Sequence, residues 1–114
     1  SRALDFTVKA YKIKKKYADC FSSDCPETMV DTLSPAICAN RFPGGGRTIY
    51  TLYNRAYTTF RGGALRLLHE PGTVYFDVWN DVPINAEIDG GYAVLPYELH
   101  AQHIGCIEVR KETL

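Results

Sequence analysis

Hydrophobic and polar residues alternate with a period of two along most of the chain beyond residue 36. This period is typical of strands that bury one face. Turn signals rich in Gly, Pro, Asp and Asn separate these segments, which rules against βαβ units. We therefore predict an all-β antiparallel sandwich of about seven strands for residues 37–114. The strand-like segments are 36–42, 47–55, 57–60, 64–69, 73–80, 85–88, 92–99 and 103–111.

The first part of the chain has a different pattern. Residues 3–12 fit either a strand or a helix, and the Lys-rich end of the segment, up to residue 19, favours a helix. A helix here would be apolar on two sides and would need a partner on each. One helical face carries Leu4, Val8 and Tyr11, and the nearly opposite face carries Phe6, Ala10, Ile13 and Tyr17.

A change of composition separates these two regions. Residues 20–36 are rich in Ser, Asp and Pro, which predicts a connecting loop. We therefore divide the chain into an N-terminal helix and loop, residues 1–36, and a β-sandwich domain, residues 37–114. The chain does not begin with Met, so we expect it to be a piece of a longer protein.

The stretch "FPGGGRTIYTLYNR", residues 42–55, raises the question of a phosphate-binding loop. Such a loop needs a G-x-x-x-x-G-K-[ST] spacing and a helix after it. Here the Lys position holds Arg47, and the residues that follow are β-branched or aromatic. The glycines therefore predict a tight turn that leads into a strand.

Alternation also assigns residues to faces of the predicted sheet. In residues 73–80 it places Tyr75, Asp77 and Trp79 together, opposite Val74, Phe76 and Val78. We expect the more apolar faces to form the core. The predicted core residues are Leu52, Leu65, Leu67, Phe76, Val78, Val94, Ile107 and Val109.

Composition and charge exclude some classes of function. The 114 residues carry 13 basic and 13 acidic side chains, so no broad field favours nucleic acid or an anionic membrane as a partner. No stretch approaches the roughly 20 apolar residues of a membrane span. The four cysteines leave open both free thiols and a small loop closed between Cys20 and Cys25.

Two groups of polar residues are candidates for a reaction centre. An extended strand would separate Asp77 and Asp81 by about 13 Å, more than glycoside hydrolysis by paired acids allows. His100, His103 and Cys106 follow at three-residue steps, a spacing that brings metal ligands together on a helix but not on a strand. We predict no catalytic residue, metal or cofactor, and we keep a small metal-dependent enzyme as an alternative.

Surface aromatics are the best functional signal in the chain. Flat aromatic faces, with Asn and Asp nearby as hydrogen-bond partners, are suited to polysaccharides and oligosaccharides. We therefore predict a carbohydrate-binding surface, with Trp79 and Tyr75 stacking on sugar rings. The candidate residues are Trp79, Tyr75, Asp77, Asn80, Tyr53 and Tyr57.

The order of these features resembles the C-terminal region of bacterial (β/α)₈-barrel glycoside hydrolases of the α-amylase and α-galactosidase grouping. The segments that carry the resemblance are "KIKKKYADCF", "ANRFPGGGRTIYTLYNR" and "YFDVWND". The resemblance implies that the N-terminal helix packs on a barrel and that the catalytic carboxylates lie upstream. It implies a non-catalytic accessory module of a carbohydrate-active enzyme. A purely structural domain that packs on the barrel is the alternative.

Overall fold

A computed structural model describes residues 2–112 of the chain. Two helices precede nine strands, and none of the described helices is long and apolar enough to cross a membrane. The helices are α1 (Arg2–Lys16) and α2 (Ala18–Phe21). The strands are β1 (Glu27–Val30), β2 (Ile37–Pro43), β3 (Arg47–Asn54), β4 (Phe60–Leu68), β5 (Thr73–Asp77), β6 (Val82–Ile84), β7 (Glu87–Asp89), β8 (Tyr92–Leu99) and β9 (Ile104–Lys111).

The strands form two antiparallel sheets. The larger sheet has the order β1-β2-β3-β9-β5-β6, and the smaller sheet has the order β4-β8-β7. The predicted all-β sandwich is therefore confirmed. The sequence-based prediction missed β1 and β6. It also divided β4 into two segments, close to the point between Gly63 and Leu65 where the pairing of β4 with β8 shifts register.

The N-terminal segment is helical, as the Lys-rich pattern predicted. Asp5 lies in the first turn of α1, and Lys14, Lys15 and Lys16 lie in its last turn, so the charges favour the helix dipole at both ends. The following segment, residues 20–36, is not wholly the connecting loop that we expected, because it contains β1, which pairs with β2. The division of the chain after residue 36 into two parts remains a prediction.

The main core lies between the two sheets. Of the predicted core residues, Leu52, Leu65 and Ile107 are buried there, and Leu67 and Val109 pack against it. A second cluster lies on the outer face of the larger sheet, where Tyr17 and Cys20 cover Ile49 and Cys106. The central strands of the larger sheet are therefore covered on both faces.

Strand β5 turns the face opposite to our prediction toward the core. Tyr75 and Asp77 are buried, whereas Phe76 is only half-buried and Val78 packs with the outer cluster beyond the end of the strand. The error has a physical reason. The Asp77 carboxylate accepts a hydrogen bond from the Tyr97 hydroxyl at 2.7 Å, which satisfies a polar group that the pattern alone would place outside.

The glycine run forms the turn between β2 and β3, as predicted. The Gly44 amide donates to the Arg47 carbonyl at 2.8 Å, and Gly46 has a φ of 84°. A side chain at Gly44 would meet the Cys20 sulfur at 2.7 Å. The turn therefore also makes room for α2 to approach the sheet.

Arg47, the first residue of β3, holds α2 against the end of this strand. Its guanidinium lies 4.4 Å from the centre of the Tyr17 ring and pairs with Asp19 at 2.8 Å and with the buried Glu108 at 3.5 Å. The hydrogen bond from Arg47, with its charge, holds the pKa of the Asp19 carboxyl below its usual value. Burial, with the Glu108 charge, raises the pKa of Tyr17 to about 12.

Candidate functional site

The predicted sugar-binding residues do not form one surface. Tyr75 is 5% exposed and its ring lies in the main core, where its hydroxyl contacts His69 Nδ1 at 2.8 Å. Burial, with the nearby Tyr50, raises the pKa of its phenol. The ring of Tyr75 is therefore not offered to a ligand beside Trp79.

Asp77 lies beneath the surface and organises the turn that carries Trp79. Its carboxylate accepts hydrogen bonds from the main-chain nitrogen of Asn80 at 3.1 Å, from Asn80 Nδ2 at 2.8 Å and from the Tyr97 hydroxyl at 2.7 Å. Burial, together with the hydrogen bond to Asp77, raises the pKa of Tyr97, which keeps its proton for this bond. Asp77 thus positions Trp79 and Asn80.

Trp79 lies between α1 and the end of the sandwich. The ring of Phe6 lies 5.2 Å from its ring centre, and the Lys9 ammonium lies 4.5 Å from it. These contacts come from the helix face that carries Phe6, Ala10 and Ile13. The opposite face of α1 is exposed at Val8 and Tyr11.

The Trp79 cleft, as we name it, lies between the turn of residues 78–81 and the segment of residues 97–104, with a volume of about 270 Å³. Its base is formed by the buried Tyr97 and Leu99, and its rim carries exposed polar side chains. The lining residues are Trp79, Asn80, Tyr97, Glu98, Leu99, His100, His103 and Ile104. The cleft thus combines an indole wall with amide, carboxylate and imidazole groups.

A buried asparagine fixes the loops beside this cleft. Asn54 is fully buried, and its side-chain nitrogen donates to the carbonyls of Thr58, Leu99 and His100 at 2.9, 3.0 and 3.3 Å. The Gln102 side chain donates to the Arg55 carbonyl and contacts the Tyr53 hydroxyl. Tyr53, a predicted site residue, therefore braces a loop.

Tyr57, the last predicted site residue, projects from the loop that Asn54 fixes. It is 87% exposed, and it lies two residues before Thr59, whose hydroxyl contacts His100 Nδ1 at 3.4 Å. The site residues that the structure brings to one cleft are thus Trp79 and Asn80. Glu98, His100 and His103 complete it, and only the topology of β8 and β9 reveals their proximity.

The candidate metal ligands His100, His103 and Cys106 do not lie together. The rings of His100 and His103 lie 5.5 Å apart, whereas Cys106 lies in the outer cluster of the sheet. Burial, with the nearby charge of Asp77, raises the pKa of the Cys106 thiol to about 12. Among residues 2–112, no group of three His, Cys, Asp or Glu side chains is placed to hold a metal ion.

A larger cavity, of about 440 Å³, separates α1 from the outer face of the sheet. Ile13, Leu52 and Trp79 give it apolar walls. One of its few polar groups, Asn40, accepts a hydrogen bond from the Met29 amide at 2.9 Å. This cavity offers apolar contact but little that would orient a polar ligand.

Two solved structures to which this fold is similar are described as glycoside hydrolases. An Anoxybacillus α-amylase matches with a TM-score of 0.66 and 12% identity over 96% of this chain and 23% of that one. A Bacillus halodurans protein assigned as an α-N-acetylgalactosaminidase matches with a TM-score of 0.55 and 14% identity over 77% of this chain and 20% of that one. At these identities the similarity shows the fold alone, and this chain spans about a fifth of each neighbour's length. No family model and no curated protein sequence matches the chain.

Proposed function

We propose that this chain is a non-catalytic accessory domain of a carbohydrate-active enzyme, and that α1 packs its outward face on the neighbouring catalytic domain. The observation that carries the proposal is the arrangement of the two apolar faces of α1. Ile13 on one face packs against the outer cluster of the sheet, and Phe6 on the same face contacts the Trp79 ring, although it keeps 48% of its surface exposed. On the outward face Val8 is 42% and Tyr11 64% exposed.

Exposed apolar residues on one helix face are a typical mark of a protein interface. Full burial of an aliphatic or aromatic side chain stabilises an assembly by about 1.5–3 kcal/mol. Arg47 pairs with Asp19 of α2 and donates to the Lys16 carbonyl at the end of α1 at 2.9 Å, so the α1–α2 unit is attached to the sheet where it would meet a partner. The fold's occurrence as about a fifth of two glycoside hydrolases supports a catalytic domain as that partner.

The surroundings of Asp77 support a non-catalytic role. Its carboxylate accepts three hydrogen bonds from Asn80 and Tyr97, and the side chain is buried. A general acid or nucleophile in glycoside hydrolysis must reach the glycosidic bond. Asp77 therefore acts as a structural group, and the reaction belongs to another domain.

The test compares the isolated 114-residue chain with the parent enzyme. We expect Val8→Lys to lower the Tm of the parent enzyme by roughly 4 °C, because a charged group would enter the interface. The same substitution should leave the Tm of the isolated chain nearly unchanged, since Val8 is exposed there. Scanning calorimetry of both proteins measures the difference.

Ala3→Lys is the matched control, because it adds the same charge to an exposed position of α1 that is not three or four residues from Leu4, Val8 or Tyr11. It should leave the Tm nearly unchanged in both proteins. Equal effects of Val8→Lys and Ala3→Lys in the parent enzyme would contradict the docking role. Turnover of glycosides by the isolated chain would contradict the non-catalytic role.

The polar cleft beside Trp79 favours a second function for the same domain, the binding of saccharide. Trp79 and Asn80 were predicted for this role, and both line the cleft. This function is compatible with docking through α1, because the outward face of the helix and the cleft are formed by different residues.

A further inference from the structure

We propose that the Trp79 cleft binds a single terminal unit of a neutral saccharide, rather than an internal stretch of a polymer. The inference rests on the proposed function, which places the domain beside a carbohydrate-active site. It adds the mode of binding and assigns roles to Glu98, His100 and His103.

The chemistry of the cleft fits one sugar ring. The Phe6 ring and the Lys9 ammonium already lie against the Trp79 ring, and the part of the indole that lines the cleft offers an apolar surface to the C–H groups of a pyranose. Asn80, Glu98, His100 and His103 supply donors and acceptors for hydroxyl groups around it. Small-ligand sites typically combine such an aromatic wall with a few polar groups that fix orientation.

The shape of the cleft favours a chain end. Its volume of about 270 Å³ is confined between two loops. An internal stretch of polymer would instead need a row of exposed aromatic faces. Tyr75 is buried in the core and the Tyr53 hydroxyl is bound to Gln102. Tyr57 is 87% exposed but does not line the cleft, so none of these three tyrosines adds its ring to Trp79 there.

The polar groups of the cleft are held in place before a ligand arrives. Asp77 accepts hydrogen bonds from both the main chain and the side chain of Asn80. Asn54 binds the Leu99 and His100 carbonyls from below. A preorganised site loses less conformational entropy on binding, which matters for a sugar because it must give up strong hydrogen bonds to water.

The charge of the rim favours a neutral sugar. Glu98 is the carboxylate on the cleft, and its Oε2 lies 3.2 Å from Arg61 Nε. Both side chains are more than half exposed, so this pair is screened and weak. A uronic acid would bring a second carboxylate toward Glu98, and we expect it to bind more weakly than its neutral counterpart.

The experiment uses Trp79, the only tryptophan of the chain, as a fluorescence reporter. The isolated chain is titrated with the disaccharides and hexasaccharides of the α-1,4-glucose, β-1,4-xylose and α-1,4-galactose series. We expect at least one series to bind, with dissociation constants of its two lengths that agree within about threefold, because only the terminal unit enters the cleft. The disaccharide of glucuronic acid tests the charge argument.

His103→Ala is the variant for the cleft, since the His103 side chain is exposed and we expect its removal to leave the fold intact. It should weaken binding by about tenfold, whereas Asn85→Ala, at an exposed asparagine outside the cleft, should not change it. The proposal is overturned if no saccharide of the three series binds. Affinity that rises more than about tenfold with length, or an unaffected His103→Ala variant, also overturns it.

These outcomes are separate from the docking test. The Val8→Lys comparison reads interdomain stability, whereas the titration reads the occupancy of the cleft. Failure of the titration with a positive docking result would leave an accessory domain without a sugar site. The reverse result would leave a sugar-binding domain that does not dock through α1.

Discussion

The Tyr97 hydroxyl lies 2.7 Å from Asp77 Oδ1 and joins the two sheets of the sandwich inside their shared core. The same oxygen accepts a hydrogen bond from the Cys106 amide at 3.2 Å. Three strands, β5, β8 and β9, therefore meet at one phenol oxygen. This network fixes the turn that carries Trp79 and Asn80 on one wall of the cleft.

Removing that hydroxyl should destabilise the fold. Tyr97→Phe would remove one of the three hydrogen bonds that the buried Asp77 carboxylate accepts and would remove the hydroxyl that accepts from the Cys106 amide. We expect a cost of about 1–3 kcal/mol in the free energy of unfolding. Urea denaturation followed by far-UV circular dichroism measures the change. Tyr57→Phe is the control, because Tyr57 is 87% exposed and should be neutral. Equal stability of the two variants would contradict the role of the network.

Gly105 should not tolerate a side chain. A Cβ there would lie 2.6 Å from a Tyr97 ring carbon and 2.7 Å from the Tyr97 hydroxyl oxygen. We expect Gly105→Ala to cost about 1–3 kcal/mol by overpacking. Gly45→Ala is the matched control, since a Cβ at Gly45 meets nothing within 4 Å. If both substitutions shift the urea midpoint alike, the close approach of Gly105 to Tyr97 is not the cause.

Acid should weaken the attachment of α2. Arg47 lowers the pKa of the folded-state Asp19 carboxyl below its unfolded value of about 3.9. The stabilisation is therefore complete above about pH 4 and is lost as the pH falls through the lower, folded-state pKa. Asp19→Asn should destabilise the chain at neutral pH and approach the parent chain as the pH falls below about 4 and through the folded-state pKa of Asp19, as read by urea titrations across this range.

Asp24→Asn, at an exposed turn, should show no such convergence with pH. A stability difference for Asp19→Asn that stays constant down to pH 2 would show that the pair with Arg47 does not supply it.

The four thiols should differ in reactivity. All are free, and Cys25 is exposed whereas Cys20 and Cys106 are buried. Burial raises the pKa of Cys20 and raises that of Cys106 to about 12, so their thiolate forms are rare at pH 8. We expect iodoacetamide to modify Cys25 first and Cys106 only after unfolding in urea, as followed by mass spectrometry. Labelling of Cys106 at the rate of Cys25 in native buffer would refute this.

The positions of most strands along the sequence were predictable, because hydrophobic alternation and turn residues are local signals. The prediction that Leu52 of β3 lies in the core was also correct, and Tyr50 shares its face whereas Ile49 lies in the outer cluster. Strands β1 and β6 were missed for different reasons. Strand β1 follows a Pro-containing turn and has only four residues. Strand β6 has three residues and contains Pro83, whose missing amide proton is tolerated at the edge of the sheet.

The burial of Tyr75 and Asp77 could not be read from the sequence. Their partners, His69 and Tyr97, belong to other strands or turns, and the pairing depends on how the sheets stack. Local pattern therefore assigned these two residues to the surface and, with them, to the sugar site. The sequence likewise predicted only Trp79 and Asn80 of the cleft. His100 and His103 are distant in sequence and reach them only through the folded topology.

The double covering of the larger sheet has a consequence for folding. Ile49 and Tyr50 are adjacent in β3 and both are buried, on opposite faces. A slip by one residue would exchange apolar side chains for apolar side chains, so hydrophobicity alone penalises misalignment of this strand weakly. The register of β3 must therefore be set at its two ends, by the glycine turn before Arg47 and by the hydrogen bonds of the Asn54 side chain.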